Sequence, residues 1–380
     1  MSSLTLPYVP HYVAPPPTKE PLKYADLAVI DISKADTEEG RAALAIEVRD
    51  ALLNHGFFYV VNHGYSQDQV RHFYHFLWIV YLTSTQTARM FDIADLPFSA
   101  VSDSEKQIYA ATMKQTGSYQ GYKLRQYWHI DAGVRDQLEH YNINRDVTKR
   151  GHPEVLRPLL PEIKEFGKKT YLNVLHPILR LIARSLELPE DTLVNSHDYD
   201  AVGETYTRFM NYPRTDEEES KTKNVWLKGH TDFGSITILW SQPIAALQIL
   251  TREGEWRWIR HMENALVVNA GDAMDFLTGG YYKGTIHRVV QPPEDQRNYT
   301  RLGVFYFVMP NDDVKLVPMA ESPVLQRVGI QRRCDDSEAP TMEQWRKART
   351  SAYGQSALES GKDKGVEEEI INGVLVKHYN

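Results

Sequence analysis

Gly229-His230-Thr231-Asp232-Phe233-Gly234 and, further along, Lys283-Gly284-Thr285-Ile286-His287-Arg288 decide how this sequence is read. Two imidazoles and one carboxylate can bind a metal ion from one side and leave the opposite coordination positions open. That is the donor set of non-haem Fe(II) sites that activate oxygen. A His-x-Asp pair alone says little in a chain of 14 histidines, because His129-Ile130-Asp131, His152-Pro153-Glu154 and His261-Met262-Glu263 offer the same spacing. The surroundings set His230 and Asp232 apart. The pair follows a glycine and enters a β-forming run, where residues two apart share a face. Beyond a Gly271-Asp272 turn comes a strand carrying His287.

Working outward, the chain reads as strands from Thr205 onward. Tyr206–Tyr212, Ser235–Trp240, Leu247–Leu250, Trp256–Ile259, Ala265–Asn269, Thr285–Val290 and Arg301–Val308 are short and separated by Gly, Pro and acidic turns. Many short strands at near-regular spacing predict an all-β sandwich or barrel. After Pro310 a helix is expected over Met342–Ala352. Asn372-Gly373, between apolar residues, signals a tight hairpin turn.

Toward the N-terminus, Pro7, Pro10, Pro15, Pro16, Pro17 and Pro21 make residues 1–22 an extended segment. Leu27–Ile32 reads as a buried strand. Asp36–Asn54 reads as a helix with Asp36 as N-cap, and Gly56–Gly64 as a strand closing in a glycine turn. Gln69–Ala94 is ambiguous: its apolar run Phe76–Leu82 precedes the polar Thr83–Thr87, which fits one long helix or an insertion. Gly117–Asp131 has the aromatic, glycine-punctuated look of a pocket-lining loop or of surface turns. Pro161–Leu188 carries the strongest helical periodicity, with a kink expected at Pro177.

An apolar fraction of 42% with 11% aromatics is enough for a sizeable core. The net charge of −7, with no basic stripe, argues against a nucleic-acid partner. A single cysteine, Cys334, excludes an internal disulfide framework and cysteine-rich zinc or iron–sulfur sites, and fits a reducing compartment. No signal peptide is visible, and no apolar run approaches the roughly 20 residues that span a membrane. A cytoplasmic protein is expected.

Taken together and in order, Gly229–Asp232, Leu247-Gln248, Trp256/Trp258, Val268–Asp272 and Lys283–Arg288 resemble the catalytic core of the isopenicillin N synthase-like, Fe(II)/2-oxoglutarate-dependent oxygenases. Ile30-Asp31, Gly56–Gly64 and Asp136-x-x-Glu139 resemble that family's N-terminal region. The likeness spans roughly residues 25–310. It implies a mostly β core, a double-stranded β-helix (jelly roll) with flanking α-helices. The expected organisation is residues 23–200 as an α/β region packing on the core, 201–310 as the core, and 311–380 as a C-terminal extension that covers the active site or mediates homodimer contacts.

By that resemblance His230, Asp232 and His287 bind Fe(II), 2-oxoglutarate is the cosubstrate, and O2 is consumed. Hydroxylation, desaturation or cyclisation of a small molecule, with succinate and CO2 as co-products, is the implied reaction. Tyr212, in Asn211-Tyr212-Pro213, matches the family's tyrosine that hydrogen-bonds the cosubstrate. An arginine on the last core strand pairs with its far carboxylate. Arg297 and Arg301 are the candidates, and the alternation Arg301, Gly303, Phe305, Phe307 favours Arg301. A planar guanidinium suits that carboxylate. The family pattern is Arg-x-Ser, whereas this chain has Arg301-Leu302-Gly303. The missing hydroxyl is worth about 0.5–1.5 kcal/mol, up to roughly tenfold in affinity.

Two alternatives remain open at this level: a related Fe(II) oxidase that uses no 2-oxoglutarate, and a zinc hydrolase, since two His and one Asp also suit Zn²⁺. For the substrate, Phe307 and Phe233 are expected to face or flank the pocket, with Tyr119, Tyr122 and Arg125 over it. Packing explains each of them equally well. An apolar or aromatic small molecule fits that lining.

Overall fold

The computed structural model describes residues 7–65, 86–131, 133–213, 221–356, 358–361 and 366–379. Its centre is a pair of facing sheets. The larger has eight strands in the order Val29–Asp31, Phe57–Val61, Leu266–Ala270, Ile236–Trp240, Arg301–Val308, Tyr206–Tyr212, Glu139–Asn144 and Gly121–Lys123. The smaller has seven, in the order Trp256–Trp258, Leu247–Leu250, His287–Val290, Val225–His230, Val374–Tyr379, Val366–Ile371 and Glu359–Ser360. All pairs are antiparallel except the first two strands of the larger sheet. This is the jelly roll that the family resemblance implied, and one form of the sandwich or barrel expected from the strand pattern.

Side-chain alternation sorts residues between the two faces of the larger sheet. Along Arg301–Val308, Leu302, Val304, Tyr306 and Val308 enter the core beneath the helices. Phe305 and Phe307 turn the other way, between the sheets. The helices Glu38–Asn54, Leu160–Thr170 and His176–Ser185 cover the outer face with Leu44, Val48, Ile163, Phe166, Ile178 and Ile182.

Several boundaries differ from the sequence expectation, each for a local reason. Thr37, not Asp36, caps the first long helix, accepting a hydrogen bond from the Gly40 amide (3.0 Å); Asp36 lies in the 3₁₀ turn before it. The expected kink at Pro177 is a π-helical turn, Tyr171–Leu175, between two α-helical segments. Widening the turn before a proline accommodates the ring and the hydrogen bond it cannot make. Residues 117–144, read as a loop up to Asp131, contribute two strands to the larger sheet and a small ribbon, His129–Asp131 with Val134–Arg135. Their pairing is long-range, so no local periodicity announces it. Phe76–Leu82 lies outside the described residues; from Gln86 the chain is helical to Ser99.

The C-terminal helix Met342–Ala352 begins with a Thr341–Gln344 capping box. The hairpin beyond it turns at Asn372 (φ 48°) and Gly373 (φ 74°), two left-handed residues in succession, as a type I′ turn requires. Its last strand joins the smaller sheet where Tyr379 pairs with Gly229, one residue before His230. Among the described residues, no helix is long and apolar enough to cross a membrane.

Candidate active site

His230 ends the strand Val225–His230, and His287 begins His287–Val290, directly opposite it in register. The pairing puts the two imidazoles 4.4 Å apart, centroid to centroid. Each Nδ1 faces a backbone carbonyl, Lys228 O at 2.8 Å and Thr285 O at 3.0 Å. A carbonyl only accepts, so both Nδ1 atoms carry the proton and both Nε2 lone pairs are free to bind a metal. Burial, and then the neighbouring His287, push the His230 pKa down to about 3, so the ring stays neutral.

Asp232 does not share a strand face with His230, as the two-residue spacing suggested. It sits in the turn that crosses from the smaller sheet to the larger. The N-terminal amides of the helix Asp272–Leu277 capture that turn: Asp272 N–H donates to Asp232 O (2.7 Å) and Ala273 N–H to Gly234 O (3.0 Å). Carbonyls engaged there cannot extend the ladder. Gly271 lets the two segments approach, since a Cβ there would lie 2.6 Å from Asp232 O.

The carboxylate is divided between two tasks. Oδ2 accepts from Thr237 Oγ1 (2.7 Å) and Asn269 Nδ2 (2.9 Å), residues paired across adjacent strands of the larger sheet. Oδ1 faces the imidazoles, 3.9 Å from His230 Nε2 and 3.8 Å from His287 Nε2. Burial alone would raise the Asp232 pKa, but the imidazoles and the Asn269 and Thr237 hydrogen bonds outweigh it and hold the pKa below the usual value. The three donor atoms lie within 4.8 Å of one another, the one such metal-binding group of three among the described residues. Two neutral nitrogens and one anionic oxygen on one side of a shared space fit Fe(II). Two of the other three His-x-acid pairs have their histidines engaged elsewhere: His152 bonds Tyr141 Oη and His261 bonds Ser241 Oγ.

Arg301 opens the last core strand, opposite Tyr212. Its side chain is almost fully buried, its Cζ 5.3 Å from the Tyr212 ring centroid, and its Nε and Nη1 have no hydrogen-bond partner. Arg297 lies exposed beyond a 3₁₀ turn. A buried guanidinium with idle donors is a costly arrangement unless an anion completes it. The far carboxylate of 2-oxoglutarate fits that need.

Gly303 has a structural explanation. A Cβ there would lie 2.6 Å from Cε2 and 3.2 Å from Cζ of Phe305, so the aromatic ring takes the space a serine would use. Gly303→Ser is therefore expected to cost about 1–3 kcal/mol through overpacking without tightening 2-oxoglutarate binding. Thermal melting and a 2-oxoglutarate titration check this; tighter binding at unchanged stability would contradict it.

Of the expected pocket residues, Phe233, Phe307 and Tyr119 cluster near the triad. Tyr119 lies 6.0 Å from Phe233, and Phe307 stacks on Tyr206 at 5.2 Å. Tyr122 does not join them. Alternation on the edge strand Gly121–Lys123 sends it into the helix-covered core, where its hydroxyl donates to Pro97 O (3.0 Å). Arg125 pairs instead with Glu139 (3.5 Å), its side chain half exposed.

Sequence reasoning overlooked three groups. Asn269 and Thr237 orient Asp232, and nothing local announces that role. Arg208 shares the inward face of Tyr206–Tyr212 with Tyr206, Met210 and Tyr212, so alternation alone was enough to find it. Tyr353, just after the C-terminal helix, stands 5.6 Å from the His230 ring. Arg349 from the same helix donates to Thr231 O (3.1 Å).

A jelly roll with two histidines and an aspartate converging between its sheets defines a non-haem iron oxygenase. The chain belongs to the 2OG-Fe(II) oxygenase superfamily: residues 190–310 match that family. Residues 27–162 match the one described as non-haem dioxygenase in morphine synthesis N-terminal. UPF0676 protein C1494.01 of Schizosaccharomyces pombe is 26% identical over 352 residues, 88% of this chain and 95% of that protein. Jasmonate-induced oxygenase 3 of Arabidopsis thaliana is 26% identical over 309 residues, 78% of this chain and 75% of its own. A full-length Neurospora crassa protein, solved in complex with alpha-KG, superposes with a TM-score of 0.68 at 21% identity, over 88% of this chain and 100% of that one. The protein is thus an Fe(II)- and 2-oxoglutarate-dependent dioxygenase.

Proposed function

We propose that His230, Asp232 and His287 hold Fe(II), that Arg301 and Tyr212 bind the far carboxylate of 2-oxoglutarate, and that the substrate is a small organic molecule. The observation that carries this is a complete donor set from the smaller sheet and the crossing turn together with a buried Arg301 on the larger sheet whose Nε and Nη1 have no partner. Bound there, iron supplies oxygen activation coupled to conversion of 2-oxoglutarate to succinate and CO2. The chain's own residues orient and exclude. Asn269 and Thr237 fix which carboxylate oxygen faces the metal, and the Lys228 and Thr285 carbonyls fix both imidazole tautomers. Phe233, Phe305 and Phe307 line the space between the sheets with apolar surface that keeps water away from the oxidant.

The C-terminal extension covers one side of this space, a role supported by Tyr353 beside His230 and Arg349 on Thr231. The net charge of −7 supports a small molecule over nucleic acid. A lone thiol and a requirement for ferrous iron suit the cytosol. Anaerobic titration with Fe(II) and 2-oxoglutarate is expected to give a visible charge-transfer band, and admission of air to release succinate. Absence of both sinks the proposal.

A further inference from the structure

The inner face of the larger sheet holds a second buried cation. Arg208 sits on the strand Tyr206–Tyr212, opposite Phe305 in register and four residues from Tyr212, which pairs with Arg301. At about 3.3 Å per residue the two arginines are roughly 13 Å apart along one face. Arg208 is 6% exposed. Its Nε donates to Asn142 Oδ1 (2.6 Å) and its Nη2 to Tyr206 Oη (3.1 Å). Its Cζ lies over three rings: Phe307 at 4.5 Å, Tyr119 at 5.1 Å and Tyr206 at 5.3 Å. Every one of these partners is neutral, and no carboxylate of the described residues pairs with it.

The neighbouring buried cations are treated differently. Lys123 pairs with Asp136, Lys106 with Glu139, Arg346 with Asp312 and Arg349 with Asp272. Buried charges are ordinarily paired because isolating one is costly. On this face two are left without an anion, and 2-oxoglutarate accounts for one. The space beside Arg208 is also open to a ligand. Phe305 and Phe307 point inward from a strand flanked on both sides, yet they alone among its eight residues are not fully buried. Aromatic rings partly exposed inside a barrel line an internal opening.

We propose that Arg208 is the anion-recognition residue for the substrate, which is a small carboxylic acid with an apolar or aromatic body. The acid group meets the Arg208 fork, and the body lies against Phe307 and Phe233 toward the iron ligands. This rests on the iron and 2-oxoglutarate reading above, so the test keeps the two apart. Full-length protein loaded anaerobically with Fe(II) and 2-oxoglutarate is first checked for its charge-transfer band, which reports on that reading alone. The loaded protein is then titrated calorimetrically with 3-phenylpropanoate, 4-phenylbutanoate and cyclohexylacetate, each against its primary amide.

At least one acid is expected to bind tenfold or more tightly than its amide. Arg208→Gln should erase that preference by weakening the acid, not by strengthening the amide. Arg208→Lys, which keeps the charge but not the fork, should fall between, and replaces the glutamine variant if that one does not fold. A normal band together with no acid binding, equal binding of acid and amide, or an Arg208 variant that keeps the preference would overturn the inference.

Discussion

Asp232→Ala is expected to abolish Fe(II) binding and, with it, all succinate release. Asp232 supplies the one anionic donor of the triad, and its Oδ1 is the atom both imidazoles face, at 3.8 and 3.9 Å. Loss of a residue that merely orients a ligand commonly costs 10–100-fold in metal affinity. Asn269→Ala, which frees Asp232 Oδ2 from one of its two hydrogen bonds, should fall in that range. Removal of the ligand must exceed it. The alanine also strands the Thr237 hydroxyl and the Asn269 amide, which costs about 1–3 kcal/mol of stability for a buried unsatisfied group. Metal content after anaerobic reconstitution separates the two effects, because a folded variant without iron shows the ligand role directly. Iron at wild-type stoichiometry in folded Asp232→Ala would remove this residue from the site.

Arg301→Ala should leave iron binding intact and cripple use of 2-oxoglutarate. Truncating one member of a buried, hydrogen-bonded charge pair costs about 2–5 kcal/mol, so the 2-oxoglutarate Kd should rise from roughly 30-fold to several-thousand-fold. In the absence of cosubstrate the sign reverses. Burial already disfavours the Arg301 charge, and its Nε and Nη1 have no partner. Arg301→Met should therefore melt at or above the wild-type temperature when both are free of ligand. Saturating 2-oxoglutarate, at about 100 times its Kd, stabilises the wild type by about 2.7 kcal/mol, and the methionine variant should show no such shift. Equal stabilisation of both would contradict the assignment. Arg301→Lys keeps the charge but loses bidentate geometry and is expected to rescue only part of the affinity.

Several strands around the site were legible because their signal is local, although Val225–His230, which carries His230, was not among those expected. Tyr206–Tyr212, Leu247–Leu250 and Arg301–Val308 have the bounds that alternation and turn residues predicted. The helix Met342–Ala352 and the Asn372-Gly373 turn carry their own signals in caps and left-handed residues. Illegible were the features made by pairing between distant segments. Tyr122 looked like a pocket residue until its edge strand was placed, and a one-residue difference in facing sent it to the opposite core. Tyr353 lies far along the chain from His230 and reaches it where Arg349 of the preceding helix binds Thr231 O and the hairpin beyond joins the strand that His230 ends.

The same division runs through the metal centre. The sequence by itself supplied the candidate donors, because two histidines and an aspartate set among ordered motifs name a donor set without coordinates. Tertiary structure decided how each donor is used. Two carbonyls leave both Nε2 lone pairs free, and a Thr237–Asn269 pair occupies one oxygen of Asp232 and spares the other. It also decided the meaning of Gly303, which reads as a lost hydroxyl in the chain and as room for the Phe305 ring in the fold. Residue type fixes what chemistry is available. Hydrogen-bond partners and excluded volume, which exist only once the sheets face one another, fix which atoms perform it.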